Sequence, residues 1–352
     1  MPPTTLAASA PRPASTLDVS KEAGKPAVVH APRFGSVEPA AEWLAQHQAQ
    51  LKEELLRWGA LMIKGLPVFD AAAFAAVRDV IMPRRAGYKE KATPRTDFGE
   101  GVFSSTDLPA IQPIRLHNEN SYTLDFPGLL LFGCVTAPEA GGATTVGDMR
   151  EALRLLPAAL RERFAAAGWL LVRNYSELAG LPWYKSFATE DPAVAEAYCA
   201  DNTIGFEWLA DGALRTRQVR SAIVTHPLTG EQSWFNHFAF WNRWTLDADV
   251  RDVLLETYGD DGLPFDTYVG DGTHLSREDV DTINGIYDQV TLRETWERGD
   301  LLLVDNILCA HGREAFQGNR KILVAMGDPT PLADCAPLTA PSVGPSATVA
   351  GE

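Results

Sequence analysis

The stretch Arg115-Leu116-His117-Asn118-Glu119-Asn120, followed by the apolar run of residues 129–135, carries the clearest indication of how this chain folds. A histidine and a carboxylate two residues apart point to opposite sides of a helix, whereas side chains at i and i+2 share one face of a β-strand. We therefore predict a strand here, on which His117 and Glu119 bind one ion from the same side. Two ligands rarely hold a metal ion, so a third is expected from a distant part of the chain.

The strongest candidate for the third ligand is His311, which follows the leucine-rich segment 299–310. Two histidines and one carboxylate that leave coordination positions open form the facial triad of non-haem iron(II) oxygenases. The His-x-Glu pair alone is a weak signal, because such pairs on strands are more often surface or satisfied core residues. A single histidine after a strand is likewise usually structural.

Two further polar residues indicate that an anion lies beside this site. Arg320, nine residues after His311, opens the apolar segment 321–326, and a guanidinium in that position needs an anion and binds carboxylates in a bidentate manner. Thr144 follows a Gly-Gly turn, 25 residues after Glu119, and its hydroxyl can meet the same anion. The leucine-rich segment before His311 supplies a water-poor wall.

The composition excludes several classes of protein. The 352 residues suffice for one large domain or two ordinary ones, and 45% hydrophobic content is ample for a sizeable core. The 31 basic and 46 acidic residues leave a net charge of −15, which repels phosphate backbones and anionic membranes, so we predict no nucleic-acid and no membrane partner. Four cysteines without CxxC pairing do not form a disulfide scaffold. With neither a signal peptide nor a membrane-length apolar run, the expected location is cytoplasmic.

Hydrophobic periodicity and capping residues predict helices separated by short strands. The predicted helices cover residues 37–58, 70–81, 148–167, 248–258 and 277–290, and the main predicted strands cover 60–64, 129–135, 143–146, 169–173, 301–305 and 321–326. Residues 89–107 lack periodicity, as is typical of a lid or binding loop. The pattern predicts a mainly β fold with flanking helices, a jelly roll. It forms one domain over residues 33–329, between flexible tails at 1–32 and 330–352.

At this point the motifs resemble a known family. His117-x-Glu119, Gly141-Gly142-Ala143-Thr144, His311 and Arg320 together resemble the taurine dioxygenase and clavaminate synthase-like superfamily of iron(II)/2-oxoglutarate oxygenases. The sequences of residues 117–122 and of Trp234-Phe235-Asn236 are most similar to those of bacterial amino-acid hydroxylases of the syringomycin-type branch. The similarity spans roughly residues 60–328.

The resemblance implies a fold, a set of cofactors and residue roles. The fold of the family is a double-stranded β-helix with flanking helices. His117, Glu119 and His311 are implied to hold Fe(II), and Arg320 to pair with the distal carboxylate of 2-oxoglutarate, with Thr144 assisting. Halogenating relatives replace the carboxylate ligand by a small residue, so Glu119 disfavours halogenation.

The reaction implied by the resemblance consumes O2 and converts 2-oxoglutarate to succinate and carbon dioxide. It removes hydrogen from an unactivated C–H bond and returns a hydroxyl, and no protein general base is required. The expected substrate is a small amino acid of specialised-metabolite biosynthesis, free or bound to a carrier protein. Candidate substrate contacts are Ser105, Asn120, Tyr122 and Asn236.

Other outcomes stay open at the level of sequence. The same cofactor chemistry can end in desaturation or cyclisation. A zinc hydrolase with the same three ligands would leave Arg320 and Thr144 unexplained, and the chain has no HExxH motif. A third alternative is a non-catalytic jelly-roll binding protein. The sequence does not reveal the oligomeric state.

Overall fold

A computed structural model describes residues 16–176, 180–210 and 212–345 of the chain. Its helices, in chain order, are α1 Val37–Trp58, α2 Ala71–Ile81, α3 Met149–Leu155, α4 Ala158–Ala167, α5 Trp183–Ser186, α6 Pro192–Asp201, α7 Phe238–Trp241, α8 Ala248–Tyr258 and α9 Arg277–Val290. Its strands are β1 Val19–Ser20, β2 Ala27–His30, β3 Ala60–Lys64, β4 Phe103–Ser104, β5 Ile114–His117, β6 Asp125–Thr136, β7 Ala140–Gly141, β8 Thr144–Asp148, β9 Trp169–Tyr175, β10 Gly205–Trp208, β11 Leu214–Arg220, β12 Ile223–Thr225, β13 Gln232–Trp234, β14 Phe265–Val269, β15 Thr291–Leu292, β16 Leu301–Asp305, β17 Cys309–Arg313, β18 Phe316–Gln317 and β19 Lys321–Pro331.

Two sheets form the central layers. The larger has the strand order β1-β2-β3-β16-β6-β19-β4, and the smaller has the order β15-β8-β17-β5. Alternate residues of the apolar strands face opposite ways, so Leu302 and Val304 point toward Val146 of the smaller sheet while Leu301 and Leu303 point to the other side. Burial on both faces explains why these strands are continuously apolar. The prediction of a mainly β jelly roll with flanking helices is confirmed.

The outer face of the larger sheet is covered by α1 and α2. Leu44, Leu51 and Leu55 of α1 are buried there, and α2 contributes Phe74 and Val77. The helix α1 has the bounds predicted from its periodicity, and it ends at Gly59, whose backbone is left-handed with φ +74°. Asp70 caps α2 by accepting a hydrogen bond from the backbone N–H of Ala73 at 2.8 Å.

A third layer closes the smaller sheet from outside. It consists of the sheet β10-β11-β9-β14 together with α3, α4, α7 and α9. Its core is aromatic and includes Trp169, Trp234 and Phe164, all fully buried. This layer places α7 against β5, and therefore beside His117.

Several predicted boundaries differ from the structure. The helix predicted over residues 148–167 is two helices, because Pro157 cannot continue a helix from the preceding turn; Asp148 still caps the first. The strand predicted at 129–135 is the longer β6. Residues of the predicted tails also belong to the fold, since β2 pairs in parallel with β3 and β19 continues to Pro331. Such pairing partners are distant in sequence, so local composition does not reveal them. Residues 1–15 and 346–352 lie outside the described residues.

Within the described ranges, no helix is long and apolar enough to cross a membrane. The four cysteines are all buried and unpaired.

Candidate metal centre and cosubstrate site

The two candidate histidine ligands lie on neighbouring strands of the smaller sheet. β17 runs between β8 and β5, and His311 pairs directly with His117. Directly paired residues on adjacent strands carry side chains on the same face. The register of the sheet therefore places two histidines side by side that are 194 positions apart in the sequence.

Glu119 reaches the same point from a turn. His117 and Glu119 were predicted to lie on one strand, but β5 ends at His117 and Glu119 follows in a turn that includes Asn120, whose φ is +53°. The predicted geometry was wrong in this respect. The turn nevertheless places the carboxylate beside both histidines.

The three side chains meet as a compact set of potential metal ligands. One ligand atom of each of His117, Glu119 and His311 lies within 4.8 Å of the other two. Nε2 of His311 is 3.5 Å and Nε2 of His117 is 4.0 Å from Oε2 of Glu119. All three residues are buried. One carboxylate and two imidazoles on one side, with the other side facing a cavity, is a donor set suited to a divalent iron ion.

The histidines are in the protonation state that metal binding needs. Burial lowers the pKa of His117 and lowers that of His311 far below its ordinary value, so both imidazoles are neutral near pH 7. Nδ1 of His117 lies 2.8 Å from the backbone oxygen of Arg115. This contact fixes Nδ1 as the protonated nitrogen and leaves the lone pair of Nε2 directed at the centre.

An amide network holds the turn that carries Glu119. The Asn306 side chain accepts a hydrogen bond from the Glu119 N–H at 2.8 Å and donates to the Glu119 carbonyl at 2.9 Å. The Asn118 side chain donates to the backbone oxygen of Asn306 at 2.7 Å. These bonds join the turn after β5 to the turn before β17, so both segments that supply ligands are fixed to each other.

Arg320 and Thr144 form a second polar group on the cavity wall. The Arg320 guanidinium donates to the hydroxyl of Thr144 at 3.1 Å, to the hydroxyl of Ser105 at 3.2 Å and to the Gly142 carbonyl at 2.9 Å. The Trp296 indole donates to the same Thr144 hydroxyl at 3.2 Å. Burial, with Arg313 nearby, lowers the pKa of Arg320 to about 9. None of these partners is an anion, so the arrangement favours a ligand carboxylate.

A single cavity connects this group to the three candidate metal ligands. It is lined by Tyr88, Ala92, Thr93, Arg95, Ser105, Thr106, Ile114, His117, Glu119, Tyr122, Phe132, Thr144, His237, Phe240, Trp241, His311, Gly312, Arg313 and Arg320. Phe132, Phe240 and Trp241 make one side apolar. The His117 ring stacks on Phe240 with centroids 5.1 Å apart, which limits the access of water to that imidazole.

Sequence reasoning missed two arginines of this cavity. Arg95 donates to both carboxylate oxygens of Glu119, at 3.0 and 3.1 Å. Arg313 is buried and donates to the backbone oxygens of Leu108, Pro109 and Gln112. Arg95 lies in the loop 89–107, so the absence of periodicity there was a usable signal for the region but not for the residue.

The four predicted substrate contacts divide into two groups. Ser105 and Tyr122 line the cavity, although Ser105 is bound to Arg320. Asn120 and Asn236 are buried outside the cavity lining and serve the surrounding backbone and side chains. Oδ1 of Asn120 lies 3.2 Å from the Tyr122 hydroxyl oxygen, and Asn236 accepts a hydrogen bond from the Phe238 N–H at 3.0 Å. We therefore do not assign these two to substrate.

Two other polar residues, His226 and Arg115, form contacts with acidic side chains outside the cavity. Nε2 of His226 is 3.1 Å from the carboxylate of Asp305. Arg115 pairs with the exposed Asp288.

The chain is similar to known proteins over most of its length. The family model described as taurine catabolism dioxygenase TauD, TfdA family, matches residues 26–326. The dapdiamide synthesis protein DdaC of Enterobacter agglomerans is 34% identical over 288 residues, which cover 82% of this chain and 87% of that protein. A clavaminate synthase-like protein of Arabidopsis thaliana is 28% identical over 280 residues, covering 76% of this chain and 81% of that protein.

Solved structures show the same fold. A taurine dioxygenase from Burkholderia xenovorans superposes with a TM-score of 0.51 at 15% identity, covering 91% of this chain and 93% of that one. PvcB, described as an Fe, alpha-ketoglutarate dependent oxygenase from an isonitrile synthetic pathway, gives a TM-score of 0.50 at 16% identity, covering 90% and 93%. At such identities the likeness concerns the fold alone.

Proposed function

Because the chain belongs to the TauD/TfdA dioxygenase family and is therefore an Fe(II)- and 2-oxoglutarate-dependent oxygenase, we propose that it hydroxylates an unactivated C–H bond of a small amino acid. The observation that carries this proposal is the meeting of His117, Glu119 and His311 at one wall of a cavity that also contains Arg320. The alternative outcomes of the same chemistry are desaturation and cyclisation.

In this proposal the chain supplies binding and orientation. His117, Glu119 and His311 hold iron(II), and Arg320 with Thr144 binds the distal carboxylate of 2-oxoglutarate. When bound, the metal and its cosubstrate supply the oxidation of the C–H bond by O2, with succinate and carbon dioxide as the other products.

The residues around the centre determine what reaches it. The neutral His117 imidazole keeps the lone pair of Nε2 available, and Asn306 fixes the direction from which Glu119 approaches. Phe240 and Trp241 limit water beside His117. Since C–H hydroxylation of this kind needs no proton acceptor on the protein, no side chain is assigned as a general base.

An amino-acid substrate is supported by the similarity to a dapdiamide synthesis protein and by the sequence likeness to amino-acid hydroxylases. The proposal includes both a free amino acid and one tethered to a carrier protein. It also includes a cytoplasmic location, for which the four unpaired cysteines are the supporting observation.

The first test is spectroscopic. Anaerobic protein with iron(II) and 2-oxoglutarate should develop the weak visible charge-transfer band of the chelated cosubstrate, and His311→Ala should abolish it. His274→Ala, which changes an exposed histidine, is the matched control and should keep the band. A wild-type protein without the band would favour a zinc hydrolase or a binding protein.

The second test identifies the reaction. Amino acids are screened for stimulation of succinate formation, and the product of each positive substrate is analysed by mass. Gain of one oxygen atom is expected. Loss of two hydrogen atoms would instead indicate desaturation or ring closure.

A further inference from the structure

Arg95 is a buried cation with unused hydrogen-bond donors inside the cavity. Its side chain is 7% exposed, and its Nη2 donates to Glu119. Nε and Nη1 are buried and have no hydrogen-bond partner among the residues that the structure describes. A buried charged donor without a partner is costly, so a site that keeps one normally provides it for a ligand.

Arg95 differs in this respect from Arg320. All three nitrogens of Arg320 donate to side-chain or backbone oxygens, and this group is assigned to the cosubstrate in the proposed function. Arg95 instead contacts Glu119, one of the proposed metal ligands. The third arginine of the lining, Arg313, donates to three backbone oxygens. Arg95 is therefore the arginine of the cavity that is committed neither to 2-oxoglutarate nor to the backbone.

The charge of the cavity supports a second anion. Among its lining residues, Arg95, Arg313 and Arg320 are cationic and Glu119 alone is anionic, which leaves two positive charges. Iron(II) and the doubly charged 2-oxoglutarate cancel one another. The loaded site therefore stays positive, and it favours an anionic substrate over a neutral or cationic one.

The loop around Arg95 is anchored, so the guanidinium is held in place before any ligand binds. The guanidinium lies over the Tyr88 ring, 5.2 Å from its centroid. Glu90, which is fully buried, accepts hydrogen bonds from Tyr198 and Gln218 through its carboxylate and from Tyr122 through its backbone oxygen. A fixed donor loses little entropy on binding, which is the property expected of a recognition residue.

We propose that Arg95 binds a carboxylate of the substrate, so that the enzyme acts on an acid whose reacting carbon lies within a few bonds of that carboxylate. The inference rests on the proposed function and names its substrate class. Arg95 is a specificity residue in this assignment, since it selects and orients the substrate beside Glu119.

The test compares acids with their amides. Wild type, Arg95→Gln and Arg95→Lys, each loaded with iron(II) and 2-oxoglutarate, are assayed for succinate formation with the standard amino acids and the corresponding α-carboxamides. Asparagine and glutamine serve as the side-chain amides of aspartate and glutamate. Wild type should prefer the acid by at least about tenfold in kcat/KM, the loss expected for one charge-assisted hydrogen bond. Arg95→Gln should remove that preference, and Arg95→Lys should retain part of it.

Two measurements separate this role from a structural one. The 2-oxoglutarate concentration that half-saturates the visible band should be the same in Arg95→Gln and in wild type, which shows that iron and cosubstrate still bind. Arg115→Gln, which removes an arginine paired with an exposed acid, is the matched control and should keep the preference for acids.

Three results would overturn the inference. Equal response of wild type to acids and amides, or an unchanged preference in Arg95→Gln, refutes it while the proposed function stands. A 2-oxoglutarate requirement that rises together with the substrate requirement assigns Arg95 to the cosubstrate instead. No response to any free acid or amide, in protein that shows the visible band, refutes a free amino-acid substrate and this inference with it, and leaves only the carrier-bound amino acid of the proposed function.

Discussion

At the scale of single residues, the chemistry of the cavity depends on buried polar side chains, most of which have identified hydrogen-bond or ion-pair partners. The Glu119 carboxylate meets Arg95 and the two histidines, while its backbone is held by Asn306. Arg320 has oxygen partners but no acid. Burying an ionic group costs desolvation free energy unless a partner or ligand compensates its charge. Removing such a group should therefore change ligand binding more than it changes the stability of the fold.

The first prediction concerns Arg320. Arg320→Gln should raise the 2-oxoglutarate concentration that half-saturates the visible band by about 10- to 100-fold, because a charge-assisted hydrogen bond to a carboxylate contributes about 1.5–3 kcal/mol. Iron should still bind, since Arg320 is not among the ligand cluster. Arg84→Gln, at an exposed arginine paired with Asp328, is the control. An unchanged requirement would remove Arg320 from its proposed role.

The second prediction concerns the charge of His237, whose ring centroid is 4.5 Å from that of His117. Burial, followed by the nearby His117 and His311, lowers the pKa of His237 far below its ordinary value. The unfolded chain then takes up a proton at a higher pH than the folded chain does. The stability due to this residue is present above about pH 6.5 and is lost as the pH falls below that value.

The measurement compares wild type with His237→Gln in metal-free protein, by urea unfolding at about pH 7.5 and about pH 5.5. The free energy of unfolding of wild type should fall relative to the variant by about 1.4 kcal/mol over this range. His237→Leu, which packs differently but also cannot titrate, should give the same pH-dependent difference. A difference independent of pH would show that His237 is protonated equally in both states.

At the scale of elements, the sequence predicts the bounds of a helix or strand well where local residues mark its ends. α1 and α9 have the predicted bounds because each combines an apolar face with a local end signal, Gly59 after α1 and the capping Ser276 before α9. β3 and β16 are likewise predicted, since an apolar run ends at polar residues. The parallel pairing of β2 with β3 was missed because no local pattern specifies it.

The residues of the candidate site that have a local sequence signal were predicted, and those that depend on distant contacts were not. His117, Glu119, His311, Arg320 and Thr144 stand in recognisable local contexts, and the structure brings them to one cavity. The turn geometry of Glu119 was missed because it depends on Asn306, which is distant in sequence. Arg95 was missed because a loop residue acquires its partner only through the tertiary fold.

The third prediction tests the junction between α1 and β17 at Gly59. A Cβ atom at this position would lie 2.5 Å from Sγ of Cys309, and the left-handed backbone disfavours any side chain. Gly230, in the turn between β12 and β13, has a similar φ of +72°, but a Cβ there meets nothing within 4 Å. Gly230→Ala should therefore cost about 1–2 kcal/mol of stability, and Gly59→Ala about 1–3 kcal/mol more. Equal losses in urea unfolding would show that the Cys309 contact relaxes without cost.

At the scale of the whole molecule, the candidate metal centre exists only when the smaller sheet is assembled. Its ligands come from β5, the turn after it and β17, and the register between β5 and β17 sets the distance between the two histidines. The outer layer then supplies Phe240 and Trp241, which form the apolar side of the cavity. Because the unfolded chain keeps these segments apart, a metal ion that binds the centre binds the folded state.

The last prediction follows from that linkage. A divalent ion at about 100 times its dissociation constant should stabilise the folded protein by about 2.7 kcal/mol, through mass action alone. Anaerobic iron(II), or manganese(II) as an air-stable probe, should therefore raise the melting temperature of wild type in proportion to the logarithm of its concentration. Glu119→Ala and His311→Ala should lose the effect, because each removes one of the three ligands and the remaining two hold the ion weakly. His274→Ala, at an exposed histidine outside the cavity, should retain it, which controls for binding to surface histidines. A metal-dependent rise that survives in Glu119→Ala would place the ion elsewhere and would contradict the assignment of this cluster as the iron site.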